Sequence, residues 1–214
     1  YGMDRLDIDT AIGIAKRKIT GRLNQKAIQK IQNSFQSVQN IALSDKVVYG
    51  INSGFGPLCT TKIPREETIK LQYNILKSHS VGVGHAIPDD VAKLMLITKV
   101  HALSQGYSGV ALETVQRIIW HIDQDIIPVV PSQGSVGASG DLAPLAHLFL
   151  PLIGLGKVKM NGTIVSSEAM LKQFDIKPIQ LHPKEGLALI NGTQFMLAYG
   201  VKVTNFLRSN LIHA

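Results

Sequence analysis

Cysteine is almost absent: Cys59 is the only one in 214 residues. A lone thiol closes no intrachain disulfide and builds no thiolate cage around zinc, so a reducing compartment is expected, with the cytoplasm as the default. Aromatic side chains are sparse at 6%, and the 22 Lys and Arg behind a formal charge of +7 are scattered rather than gathered into a block. Nucleic-acid binding calls for a basic stripe with stacking partners, so no nucleic-acid partner is expected, and the charge suits a solvated surface or an anionic small substrate. Long apolar runs are missing too. The longest, residues 142–155, is broken by Pro144, His147 and Pro151 and falls short of the roughly 20 residues that cross a bilayer, so no membrane is expected. Tyr1-Gly2-Met3-Asp4 shows no basic-then-apolar leader for secretion. No His-Glu-x-x-His pattern gathers metal ligands, and no metal site is predicted.

What is present is globular composition, 45% hydrophobic against 17% charged, in a length that holds one good-sized domain or two small ones. Between Gln25 and Leu43, apolar residues fall at Ala27, Ile28, Ile31, Phe35, Val38, Ile41 and Ala42, one face of a 3.6-residue period. Pro64-Arg65-Glu66-Glu67 and Pro88-Asp89-Asp90 each look like a first helical turn with carboxylates at the positive dipole end. The first leads toward Ser78, and the second continues to Gly106. A fourth helix is expected from Ala111 through Ile126, stopped by Pro128. Asn161-Gly162 between Lys157-Val158-Lys159-Met160 and Thr163-Ile164-Val165 predicts a type I′ hairpin. A short helix near 167–174, a Pro178/Pro183 linker and a helical stretch from Glu185, broken at Asn191-Gly192-Thr193, complete a mainly α fold with one small β-hairpin. The apolar pattern at Leu207, Leu211 and Ala214 is expected to want a partner.

Glycines cluster between these helices, at residues 49–56, 78–84 and 134–141. Loops on a rigid scaffold are where chemistry is usually placed. A phosphate cradle does not fit residues 134–140, because no Lys-Ser or Lys-Thr follows. A serine hydrolase built on Ser139 is weakened by Asp141, which stands where the Gly-x-Ser-x-Gly elbow needs its last glycine. Ala138-Ser139-Gly140 permits a third chemistry. If the Gly140 amide nitrogen attacks the Ala138 carbonyl carbon and two waters leave, Ser139 becomes a dehydroalanine inside a five-membered ring, an electrophile no standard side chain supplies.

The run Ala138-Ser139-Gly140-Asp141-Leu142-Ala143-Pro144-Leu145-Ala146-His147, preceded by Gly134-Ser135-Val136-Gly137, resembles the signature of the aromatic amino acid ammonia-lyases. Tyr49-Gly50-Ile51-Asn52-Ser53-Gly54-Phe55-Gly56, Ser78-His79 with Gly82-Val83-Gly84, and Glu185-Gly186-Leu187-Ala188-Leu189-Ile190-Asn191-Gly192-Thr193-Gln194 are similar to further blocks of that family, in the same order. The likeness spans residues 47–194. It implies the amino-terminal helical part of the family's fold, which is shared with the fumarase and aspartase type, with residues 1–190 carrying the reactive group and residues 191–214 opening a long central helix bundle.

The same resemblance implies a cofactor and roles. Ala138, Ser139 and Gly140 would form 4-methylidene-imidazol-5-one (MIO), and no external cofactor is called for. Tyr49 maps onto the catalytic base, Asn191 onto the asparagine that orients the ring carbonyl or the amine, and His79 onto the position that meets the substrate ring. Ser78-His79 accompanies histidine or tyrosine substrates, and with Asn191-Gly192-Thr193-Gln194 it favours histidine. The implied reaction is non-oxidative deamination of L-histidine to trans-urocanate and ammonia, with tyrosine as the alternative substrate. Family members are longer homotetramers, and their downstream half supplies a second tyrosine, a carboxylate-binding arginine and a glutamate. A chain without these is expected to be inactive by itself, and a non-catalytic interaction fragment stands as the other alternative.

Overall fold

The computed structural model describes residues 1–2, 5–54, 63–137 and 140–213. At its centre lies α4 (Asp89–Leu103), whose residues from Val91 to Val100 are buried without a break. A helix buried on every side belongs inside a bundle, so the single face legible in its sequence understates it. Around α4 pack α1 (Ile8–Ala15), α5 (Leu112–Asp123) and α9 (Gln194–His213). A second group, α3 (Arg65–His79), α6 (Leu142–Phe149) and α8 (Glu185–Ile190), packs mutually beside it. The amphipathic α2 (Gln25–Leu43) lies on α5 and buries Ala27, Ile31 and Val38.

Local sequence explains most boundaries. Asn24 caps α2 by accepting from the Ala27 amide at 2.8 Å, and Asp7 caps α1 by accepting from Thr10. The helix expected to run to Ile126 ends at Asp123 instead. Asp125 turns left-handed at φ 56°, and the Ile126 amide donates to the His121 carbonyl at 3.1 Å, closing the helix end. The freed Ile127–Pro128 becomes strand β2. It pairs with β4 (Lys157–Met160), which forms the expected hairpin with β5 (Thr163–Ser166) over a turn with positive φ at Asn161 and Gly162. A second small sheet, not expected, joins β1 (Val83–Ala86) to β3 (Pro131–Gln133), antiparallel with an irregular register. The short helix α7 (Ser167–Gln173) packs behind the hairpin.

Buried Glu185 joins the helix groups. Its Oε1 accepts from the Ala111 amide at 2.8 Å and the Thr114 hydroxyl at 2.7 Å at the start of α5, and its Oε2 accepts from the His182 amide. This places the break between α8 and α9 directly over α4.

Candidate active site

The loop of residues 134–141 enters α6 through Asp141. As the residue before an apolar helix, Asp141 has the position of a cap, yet its side chain does not cap its own helix. Fully buried, it accepts from Phe195 and Met196 amides at 2.9 and 3.1 Å, capping α9 across the break, and from the Ser135 hydroxyl at 2.7 Å. Its own amide donates to the Gly192 carbonyl at 2.7 Å. Three of these hydrogen bonds staple the loop to the start of α9, and the Ser135 bond ties the loop to itself. With both carboxylate oxygens so engaged, Asp141 does not orient a histidine toward Ser139, as a hydrolase triad requires.

Gly140 is pressed into this contact. Its φ of +124° is one that side-chain-bearing residues rarely adopt, and a Cβ there would stand 2.6 Å from the Gly192 oxygen. Ala138 and Ser139 lie outside the described residues. Beside the contact, the Gln194 Oε1 is buried with no hydrogen-bond partner among the described residues.

Asn191 is exposed at the end of α8, where its amide donates to the Leu187 carbonyl at 3.0 Å. Its own carbonyl accepts from Lys99 Nζ at 2.8 Å. Lys99 arrives from α4 and is 2% exposed; burial pushes its ammonium down to about 7, assisted by the charge of Lys184.

His79 ends α3, half-buried. Its Nδ1 lies 2.9 Å from the Ile75 carbonyl and 3.1 Å from Ser78 Oγ. Only an N–H satisfies a carbonyl, so this contact assigns the proton of the neutral ring to Nδ1 and leaves Nε2 as an acceptor. The following chain ties the His79 loop to the Gly140 loop. Val83 pairs with Gln133, a Cβ on Gly134 would lie 3.1 Å from the Gly82 Cα, and the Gly82 amide donates to His147 Nε2 at 3.0 Å. Burial holds the His147 ring below its ordinary pKa, which keeps Nε2 free to accept.

Tyr49 stands on a turn and is 56% exposed. Its loop is held by Asn52, buried, whose Oδ1 accepts from the Val48 amide and whose Nδ2 donates to the Lys46 carbonyl, both at 2.8 Å. Asn52 Nδ2 also donates to the Ile41 carbonyl at 3.3 Å, which anchors the loop to the end of α2. Gly140, the Asn191 break and the segment after His79 thus converge through hydrogen bonds and strand pairing, whereas Asn52 ties the Tyr49 loop to α2 and to Ile63.

The sequence profile of the aromatic amino acid lyases matches residues 6–212. The chain belongs to the aromatic amino acid lyase family. A histidine ammonia-lyase of Streptococcus pyogenes is 39% identical over 201 residues, which are 94% of this chain and 39% of that protein. The crystal structure of histidine ammonia-lyase from Trypanosoma cruzi superposes with a TM-score of 0.85 at 36% identity, covering 92% of this chain and 38% of that one. Pantoea agglomerans phenylalanine aminomutase superposes at 0.88 with 26% identity, covering 96% and 39%. The chain thus spans about two fifths of the length of the curated relatives it matches.

Of the triplet Ala138-Ser139-Gly140 the structure describes only Gly140, whose backbone is compatible with the ring that the resemblance implies. Gly140 has a conformation only glycine adopts easily, at a contact with Gly192 that leaves no room for a Cβ. The family's sequence signature did not single out Lys99, Asp141 or His147 as working residues. Asp141 carried one signal, its place before an apolar helix, but that signal names the wrong helix. Lys99 carried none.

Proposed function

We propose that this chain forms part of an ammonia-lyase that removes ammonia from L-histidine without oxidation, releasing trans-urocanate. The observation that supports the proposal is the contact of Gly140 on Gly192, which leaves no room for a Cβ at the residue whose amide nitrogen would close the ring. The MIO group from Ala138, Ser139 and Gly140 supplies an electrophilic alkene that makes a poorly leaving amine depart more easily. The remaining work falls to side chains. Tyr49 takes the β-proton of the substrate as general base. Asn191 presents its amide to the ring carbonyl or the substrate amine, over a backbone fixed on both sides. His79 offers Nε2 to a substrate ring that carries an N–H or O–H.

That acceptor suits the imidazole of histidine and equally the hydroxyl of tyrosine, so tyrosine is the second substrate to consider; the bare ring of phenylalanine offers it nothing. Residues 1–190 carry the reactive loop in this proposal and residues 191–214 begin a long bundle helix, with the complete enzyme a homotetramer in the cytoplasm. Intact mass of the complete enzyme should fall two waters below the sequence value, and L-histidine should yield ammonia and the ultraviolet absorbance of urocanate. An unshortened mass with no ammonia release refutes the proposal. A panel showing higher kcat/KM for tyrosine than for histidine reassigns the substrate and leaves the chemistry standing.

A further inference from the structure

Lys99 is among the largest fully buried side chains of the molecule, on the helix at its centre. Its ammonium has no carboxylate opposite it among the hydrogen bonds and ion pairs of the described residues. Its neighbours are the Asn191 carbonyl at 2.8 Å, the Phe149 ring with its centroid 6.0 Å from Nζ, and the like charge of Lys184. Burying an ammonium without an anion is costly, and a methionine would fill similar space without that cost. Stability alone therefore gives no reason for a lysine here.

Among the described residues, its side-chain hydrogen bond falls on the break between α8 and α9. The Asn191 side chain leaves the same residue whose carbonyl Lys99 grips. The next carbonyl, that of Gly192, receives the Asp141 amide and faces Gly140. A continuous line of short contacts therefore runs from the core to the reactive loop: Lys99 Nζ, the Asn191 carbonyl, the Gly192 peptide, then Gly140 and Asp141.

We propose that Lys99 is a positioning residue, which by gripping the Asn191 carbonyl from below fixes the direction of the Asn191 amide and the height of the Gly192 peptide under Gly140. It touches neither substrate nor ring and acts through the Asn191 backbone; the inference rests on the ammonia-lyase activity proposed above.

The test uses the complete enzyme with Lys99→Met, Lys99→Arg, Asn191→Ala and the Lys99→Met/Asn191→Ala pair, each checked for fold and subunit assembly by circular dichroism and gel filtration. Two quantities are read: the fraction of polypeptide two waters lighter by intact mass, and kcat and KM with L-histidine. Lys99→Met should lower the dehydrated fraction and reduce kcat about tenfold or more with little change in KM. Lys99→Arg, which keeps a cationic donor for the same carbonyl, should restore most of both. In the Asn191→Ala background the further loss of kcat from Lys99→Met should shrink to about twofold or less, because residues acting as one unit are not additive.

A merely structural lysine gives the same loss in both backgrounds, and that result overturns the proposal. So does a Lys99→Met enzyme with unaltered mass and kcat. Should Lys99→Met not fold, Lys99→Gln takes its place; if neither folds while Lys99→Arg does, the charge serves folding and the positioning role is refuted. An enzyme that is never dehydrated and releases no ammonia sinks the activity itself, an outcome distinct from an active enzyme indifferent to Lys99.

Discussion

Asp141 carries more of the local architecture than any other single side chain near the loop, since three donors and one backbone bond meet at it. Truncating it leaves the Phe195 and Met196 amides and the Ser135 hydroxyl without their buried acceptor. Asp141→Ala should therefore cost about 3 kcal/mol or more, and Asp141→Asn, whose oxygen still serves two of the donors, should cost less, as read from urea unfolding midpoints. Equal losses for both would mean that the carboxylate does not act through these bonds. His121 makes a separate prediction. Fully buried, its Nδ1 bonded to the Ile126 carbonyl at 3.0 Å, it is pushed down to about 4 by burial. The unfolded chain thus binds a proton near pH 6.5 that the folded chain refuses until about pH 4. Stability should fall by about 3 kcal/mol as pH drops through that window and level off below it. His121→Phe should remove most of the slope in pH-dependent urea titrations; His101 and His147, also lowered by burial, leave a remainder. None of these roles was legible in sequence, because burial and long-range pairing decide them. Asp141 and Phe195 stand 54 positions apart.

Elements were more legible than residues. The period of α2, the proline-acid starts of α3 and α4 and the Asn-Gly hairpin all appear where local pattern puts them, because each is dictated within a few residues. The misses share a cause. Arg17, Asp125 and Asp175 each turn left-handed just after a helix, a place where sequence reasoning looks for glycine. Without that signal the end of α5 was expected too late. The pairing of β1 with β3 joins segments about fifty residues apart, with no hairpin signal between them. A left-handed arginine is strained where glycine is not. Arg17→Gly should accordingly raise stability by up to about 1 kcal/mol, seen as a higher urea midpoint with an unchanged slope. An unchanged or lower midpoint would show that the Arg17 side chain compensates the strain.

At the scale of the whole molecule, α9 is the element that does not finish its packing within this chain. Ala198 and Val201 are buried against α4 and α1, but Val203, Phe206, Leu207, Leu211 and Ile212 are each more than half exposed. Such a stripe is more than a solitary soluble surface usually carries. The 214-residue chain alone should self-associate, shown by a scattering mass that rises with concentration; a constant monomer mass would count against it. The family fold was largely legible, since four ordered sequence blocks point to it, and so was the open apolar pattern at Leu207 and Leu211, which local periodicity alone betrays.

The staple at Asp141 also gives α9 a mechanical role. A twenty-residue helix is about 30 Å long, and its first turn is bonded to the loop that carries Gly140. Such a rod links the turn of Gly140 at one end to the exposed stripe at the other. A load placed along Phe206 to Ile212 would reach Gly140 through the rod and the Gly192 contact at its foot.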